Sequence, residues 1–558
     1  MTENLASVPL RPASKVMRLT RMGASFPTRL SFMRSLIRQL SAEKATVTRP
    51  VWEMDNDGYG RAVFSVDLDG DTYSLIAFSN DLDPQNRTDR VIAEAWDAAF
   101  TLFDGVPETS DLDRLQAMVP KQEAGRCSEK ELVLSRANKS MRFFEHTVCA
   151  LAEGRQPDAD LLQQTGYLMR TTAVYGNGKF GIADRSKILD RSIGAHPFRV
   201  EMLTVWLIRE FSHDLVEHVA KARNPKAAKL SPASKQFLGI GNSTGLGMAP
   251  FVINHPLLIN NWVMARETAL ARVLSVKAAK ETEISAFLAF FERAQQHVKS
   301  WSVADVRQEE RTRVLETELA SLASKLNFGF LASDFPWQRV IDLCDSLSFE
   351  TQECLVAMML EPYGALVDDL VDKMVSTTNP SLAPAMTVNA LVQIIKTDFE
   401  WATSIEFDAP NECAQFWYVS EEKLEPRLGM RHSEDGADKE QPLDIARQIK
   451  VLQQALKDEN DENTVATFLQ SHPQFRQIIR RVQSSQKFPF SEVQDNMIAD
   501  TCLPIDILRF KLAFFGACKF DPRSDRWTRI TMFQGAPCAA EICTANASDW
   551  CFPVYGGE

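Results

Sequence analysis

The sequence predicts a mainly α fold: a multi-helix body with a small N-terminal β-meander and a short C-terminal strand region. Three patterns carry that expectation. From about residue 86 apolar residues recur at the helical spacings of three and four, most clearly over Ser128–Leu151, whereas residues 50–80 alternate polar and apolar side chains. The alternation returns at Trp527, Arg529, Thr531 and Phe533 against Thr528, Ile530 and Met532, which reads as a strand.

The elements follow in chain order. Pro27 and Thr28 introduce a helix whose stripe is Leu30, Met33, Ile37 and Leu40, with Arg29, Arg34 and Arg38 off it. In the meander, Asp57-Gly58 and Asp69-Gly70 are turn signals. A helix is expected over Ser128–Leu151, from Leu134, Ala137, Met141, Phe144, Val148 and Leu151 and a capping box of Ser128 with Glu131. Val200, Leu203, Leu207, Phe211, Leu215 and Val219 give another, with Pro197 at its first turn. Further helical patterns cover 256–274, 281–299, 302–326, 337–347, 351–375, 386–401 and 442–458. Residues 376–384 and the charged stretch 425–442 read as loops or linkers. Three units result: 1–110 with the basic helix and the meander, 111–330 helical with the glycine-rich loops, and 331–558 helical with the linker and the C-terminal strand segment.

Composition narrows the function classes. With 558 residues, 45% hydrophobic and 24% charged, the chain is globular and long enough for several cores. A net charge of −12 argues against nucleic acid as a partner, because phosphate binding needs cationic surface. Residues 1–50 nevertheless carry nine Lys/Arg and two Glu, a surplus of +7. That basic head suits either docking on the chain's own acidic body or a membrane-surface or targeting role. No apolar run reaches the roughly 18 to 20 residues of a transmembrane segment, and no secretory signal is visible. Ten scattered cysteines without a CxxC pair point to reduced thiols and a cytoplasmic location.

Two glycine-rich segments are candidate ligand loops. The first, Tyr175, Gly176, Asn177, Gly178, Lys179, Phe180, Gly181, imitates the kinase glycine loop but lacks its downstream partners; its alternative is a tight turn. The second runs Gly239 to Gly247 through Asn242, Ser243 and Thr244, overlapping the dinucleotide fingerprint without the strand before and helix after that a dinucleotide needs. On the helix that follows, Arg266 falls within the apolar stripe of Ile259, Trp262, Val263, Leu270 and Val273, with no carboxylate three or four residues away. A guanidinium there snorkels, pairs with a distant acid, or receives an anionic ligand.

Other clusters read as weaker signals. His213, Asp214, Glu217 and His218 divide between two helix faces, so four ligands to one ion are excluded and a satisfied helical histidine is the default. Asp368-Asp369-Leu370-Val371-Asp372 matches a DDxxD pattern, with a solvated acidic face as the simpler reading. Cys538, Cys543 and Cys551 lack zinc spacing and read as packing residues.

The resulting expectation is an enzyme of lyase or transferase type acting on a small anionic, carboxylate- or phosphate-bearing metabolite by metal-independent acid/base chemistry. Tyr175 and His255 are its candidates for proton transfer; Gly176, Asn177, Gly178, Lys179, Asn242, Ser243, Thr244 and Arg266 are its candidates for ligand binding. No cofactor is specified, and self-association stays open. The rival readings are a helical scaffold that docks through its basic head and, more weakly, an NAD(P)-dependent oxidoreductase.

Overall fold

A nine-stranded mixed sheet, drawn from the N-terminal half of the chain and from near its C-terminus, overturns the mainly α expectation. The computed structural model describes residues 8–83, 85, 96–121, 128–173, 192–245, 255–301, 303–375, 381–407, 416–419, 426–429, 441–442, 445–494, 504–524, 527–544 and 548–556. The chain is 53% helical and 15% strand, so helices predominate but enclose a sheet. Its strands are β1 (Val47–Met54), β2 (Gly60–Leu68), β3 (Asp71–Ser79), β4 (Ala98–Asp104), β5 (Glu131–Lys139), β6 (Tyr167–Thr171) and β7 (Gly239–Gly245). Three short strands, β8 (Phe416–Val419), β9 (Pro426–Gly429) and β10 (Gln441–Pro442), form a separate sheet, so the stretch read as a linker contains two of them. The C-terminal hairpin β11 (Lys519–Ser524) and β12 (Trp527–Met532) completes the large sheet in the order β1-β2-β3-β4-β5-β6-β7-β12-β11. β6 and β7 are parallel, and the other neighbouring pairs are antiparallel. The sheet draws strands from both sides of the expected borders at 110 and 330.

The meander forms as its sequence demands. Asp69 and Gly70 adopt φ of 58° and 83°, the paired left-handed conformation that closes a tight hairpin between β2 and β3. Along β2, Ala62, Phe64 and Val66 face the main core, while Val63 faces a smaller core with Ile76, Phe78, Leu112, Leu115 and Leu134. The middle strands are thus covered on both faces.

That double covering explains the largest misreading. Residues 131–139 form β5, a strand buried along its length, and the helix begins only at Phe143. With apolar residues needed on both faces, period-two alternation disappears and chance spacings of three and four imitate a helix. Ser128 does bond Glu131, through Oγ to Oε1 at 3.0 Å, but at a turn entering a strand.

β7 corrects the second glycine segment. The glycines of 239–245 lie in a strand, where a Cβ on Gly239 would stand 2.3 Å from the Met532 carbonyl oxygen and one on Gly241 would stand 2.6 Å from Arg170 Cγ. They serve close strand packing. The dinucleotide-like glycines therefore lie inside a strand instead of in the turn following one.

The long helix Arg199–Arg223 buries Phe211 against the sheet, where it meets Phe64 and Phe100 edge to face. The expected helices at 256–274 and 281–299 form over Pro256–Leu274 and Glu281–Lys299. Helices Val388–Asp398, Ile445–Ala455 and Arg476–Ser484 enclose a separate small core of Leu391, Ile395, Ile449 and Ile479.

The basic head is docked on the body. Arg29 makes a two-pronged pair with Asp368 at 3.0 and 2.8 Å, and the fully buried Arg34 binds Glu361, with Nη2 to Oε2 at 2.7 Å. Arg38 lies 3.6 Å from Asp368, and Arg272 binds Asp369 at 2.5 Å. Asp368 and Asp369 of the DDxxD run are thus engaged by arginines, and Arg29, Arg34 and Arg38, on which the scaffold reading relied, are engaged by acids.

Candidate functional site

A cleft of about 1190 Å³ lies between β1, the long helix and the segment 538–543. Arg49 and Trp52 of β1 form one wall; Glu210, His213, Asp214, Glu217 and His218 of the helix form the floor and a second wall; Cys538 to Glu541 and Cys543 close the third. Lys221 and Lys229 stand exposed at its mouth.

Most of the wall groups have partners. Asp214 binds Arg49 at 2.6 Å, and Arg49 stacks over the Trp52 ring at 4.5 Å. Glu217 accepts from Lys235 at 2.7 Å. His218 accepts at Nδ1 from the Trp52 indole at 3.2 Å, and its Nε2 lies 2.7 Å from the Asp55 carbonyl. The exclusion of one four-ligand site from His213, Asp214, Glu217 and His218 fits this division.

The floor is different. One ligand atom each from Glu210, His213 and Cys538 lies within 4.8 Å of the others. His213 is 2% exposed, and neither ring nitrogen has a hydrogen-bond partner among the described residues; the same holds for Oε1 of Glu210, whose nearest cation is Arg209 at 3.5 Å. Of the two helical histidines, His218 is satisfied as expected and His213 is not. Glu210 and His213 are one helical turn apart, so their side chains share a face. That face points away from Phe211 and is buried because the C-terminal segment covers it.

Arg209 brings Cys538 there. Its buried guanidinium donates to the carbonyls of Leu238 at 2.6 Å, Lys235 at 2.8 Å, Gln236 at 3.1 Å, Ala536 at 2.7 Å and Pro537 at 3.1 Å. The Trp206 indole adds a bond to the Pro537 carbonyl at 3.3 Å, and the Ala539 amide donates to Glu210 Oε2 at 3.1 Å. Gly535, at φ 83°, turns the chain into this clamp, where a Cβ would stand 2.6 Å from Pro553.

Burial governs the local acid-base behaviour. It lowers the His213 pKa well below the ordinary value, an effect reinforced by Arg209 and Lys235. It raises Glu210 against the pull of Arg209, and pushes the Cys538 thiol up to about 12.

The sequence-predicted site residues are placed as follows. Tyr175, Gly176, Asn177, Gly178 and Lys179 lie outside the described residues. His255 is exposed just before the Pro256–Leu274 helix. Asn242 and Ser243 are buried in β7; Asn242 donates to the Thr171 carbonyl at 2.9 Å and accepts from Lys511 at 2.9 Å. Thr244 lies in the same strand, in register with Thr528. Lys511, on the helix Pro504–Phe515, went unnoticed in the sequence; burial lowers its pKa to about 7.

Arg266 is buried, as its stripe implied, but it is not waiting for an anion. It pairs with Glu353, and lies 3.7 Å from Glu267. Arg11 joins the same acids, binding both oxygens of Glu267 at 2.7 Å and Glu353 at 3.0 Å; Arg21 binds Glu353 at 2.5 Å. The acids come from the next residue and from a distant helix, both beyond a search three or four positions away. None of these groups lines the large cleft.

No described helix is long and apolar enough to cross a membrane. Comparison of the chain with family models, curated proteins and solved structures returns no match.

Proposed function

We propose that the chain is an enzyme acting on a small anion-bearing metabolite, bound in the cleft between β1, the long helix and residues 538–543. The observation that carries this reading is His213, whose two buried ring nitrogens have no hydrogen-bond partner among the described residues and lie beside Glu210 and Cys538. Folded chains satisfy nearly all buried polar groups, so an unsatisfied cluster lining a cleft calls for a ligand. The volume of about 1190 Å³ accommodates a metabolite with its hydration. Lys221 and Lys229 supply exposed positive charge at the mouth, with no ion pair among the described residues. Lyase or transferase chemistry and a cytoplasmic location remain part of this reading; the seven cysteines among the described residues all carry free thiols, which accords with a reducing setting. Self-association stays open within it.

The test is a thermal-shift screen of phosphate- and carboxylate-bearing metabolites against the wild type and the Lys221→Glu, Lys229→Glu double variant. A ligand at 100 times its Kd should stabilise the wild type by about 2.7 kcal/mol. The double variant should keep its unliganded Tm and lose most of the shift. Equal shifts in both proteins would remove the cleft from consideration.

A further inference from the structure

We propose that Glu210, His213 and Cys538 bind one divalent transition-metal ion of the zinc type, its remaining coordination position turned toward the cleft. This deepens the reading above and rests on the same cleft being the working site.

The donor set is one imidazole nitrogen, one sulfur and one carboxylate oxygen, the ligand types that borderline divalent ions accept together. Three protein ligands leave a tetrahedral ion one open position, and all three residues line the cleft, so that position falls where a ligand enters. Around a tetrahedral ion with bonds of about 2.0 to 2.3 Å, ligand atoms stand about 3.5 Å apart. The three atoms already lie within 4.8 Å of one another, so rotations of about 1 Å complete the site.

The second observation is independent of that proximity. His213 is almost fully buried, and neither of its nitrogens has a hydrogen-bond partner among the described residues; Glu210 Oε1 has no hydrogen bond there either, only the 3.5 Å ion pair with Arg209. Elsewhere among the described residues, the acidic run at Asp368 and Asp369 is paired with Arg29 and Arg272 and offers no comparable donors.

Charge also closes. A divalent ion is balanced by the Glu210 carboxylate and the Cys538 thiolate, so the nearby Arg209 and Lys235 oppose no net positive charge. Binding releases the thiol proton to solvent. Arg209 acts as a positioning residue, since its bonds to Ala536 and Pro537 hold Cys538 against the helix.

The experiment uses the full chain, treated with EDTA, desalted and titrated with Co²⁺ and then Zn²⁺. The expected result is one Co²⁺ per chain with a thiolate-to-cobalt charge-transfer band, displaced by Zn²⁺. Cys538→Ser should abolish the band, and His213→Gln should weaken binding by more than about tenfold. Should those variants fail to fold, the wild type gives a second readout: Zn²⁺ should slow alkylation of Cys538 but not of exposed Cys149. Absence of binding, a Co²⁺ spectrum without the sulfur band, or a band that survives in Cys538→Ser overturns the proposal. Repeating the metabolite screen on metal-free and Zn²⁺-loaded protein separates the two readings. Metabolite binding without metal binding sinks only the metal site, and metal binding without any ligand at Lys221 and Lys229 sinks only the enzyme reading.

Discussion

Arg209 lies with Nη1 3.1 Å from the carbonyl oxygen of Pro537, joining the middle of the long helix to the turn that carries Cys538. Four further carbonyls share the same guanidinium, which is buried completely. Each lost bond leaves an acceptor out of water, at about 1 to 3 kcal/mol for a buried group.

Arg209→Met should therefore destabilise the chain by at least about 3 kcal/mol, read from the urea midpoint. It should also free Cys538, so that alkylation of this thiol under native conditions accelerates well beyond that of the wild type. Unchanged alkylation would mean that the turn is held by something other than Arg209.

The ion cluster of Arg11, Arg21 and Arg266 with Glu267 and Glu353 sets three guanidiniums against two carboxylates. Removing a carboxylate enlarges an existing surplus of positive charge, whereas removing one guanidinium balances the group. Glu353→Gln should cost about 3 to 5 kcal/mol, and Arg266→Met clearly less, by denaturant unfolding. Arg266→Met should also leave metabolite shifts in the cleft unaltered, because Arg266 has no part in it. Loss of those shifts would restore Arg266 to a ligand role.

Lys511 makes stability depend on pH in a definite direction. Its folded pKa is about 7 against an ordinary value of 10.5, so between those values the unfolded chain holds a proton that the folded chain has shed. Stability therefore rises with pH across this window, and below it the burial penalty is complete. Lys511→Met should gain on the wild type by about 2 to 3 kcal/mol more at pH 6 than at pH 9. An identical difference at the two pH values would show that the ammonium is not penalised by burial.

Gly239 is required by packing, because a Cβ at this position would fall 2.3 Å from the Met532 carbonyl oxygen. Gly239→Ala should destabilise by more than about 3 kcal/mol while any ligand retains its affinity for the folded fraction. A drop in affinity with unchanged stability would point back to a ligand loop.

These cases mark what the sequence could disclose. Pro256–Leu274 and Glu281–Lys299 were legible because each helix presents one apolar face and its own ends: Pro256 opens the first, and Lys280 with Glu283 caps the second. β5 was not, since Leu134 and Val133 enter different cores and erase the alternation. β7 was obscured by glycines whose reason is the neighbouring strand. For the candidate site, Glu210 and His213 at a spacing of three were visible, and the burial of their face was not. That burial comes from residues 535–543, whose arrival depends on Arg209 meeting carbonyls from two distant turns. Arg266 failed for a related reason, since Glu353 reaches it only through helix packing. The signal that would have helped was Arg209 itself, a cation directly following the largely apolar run Met202–Ile208.

X-ray absorption at the zinc edge of the Zn²⁺-loaded chain tests the meeting of Glu210, His213 and Cys538 most directly. One sulfur at about 2.3 Å with nitrogen and oxygen at about 2.0 to 2.2 Å is the predicted shell. A shell of nitrogen and oxygen alone would contradict it.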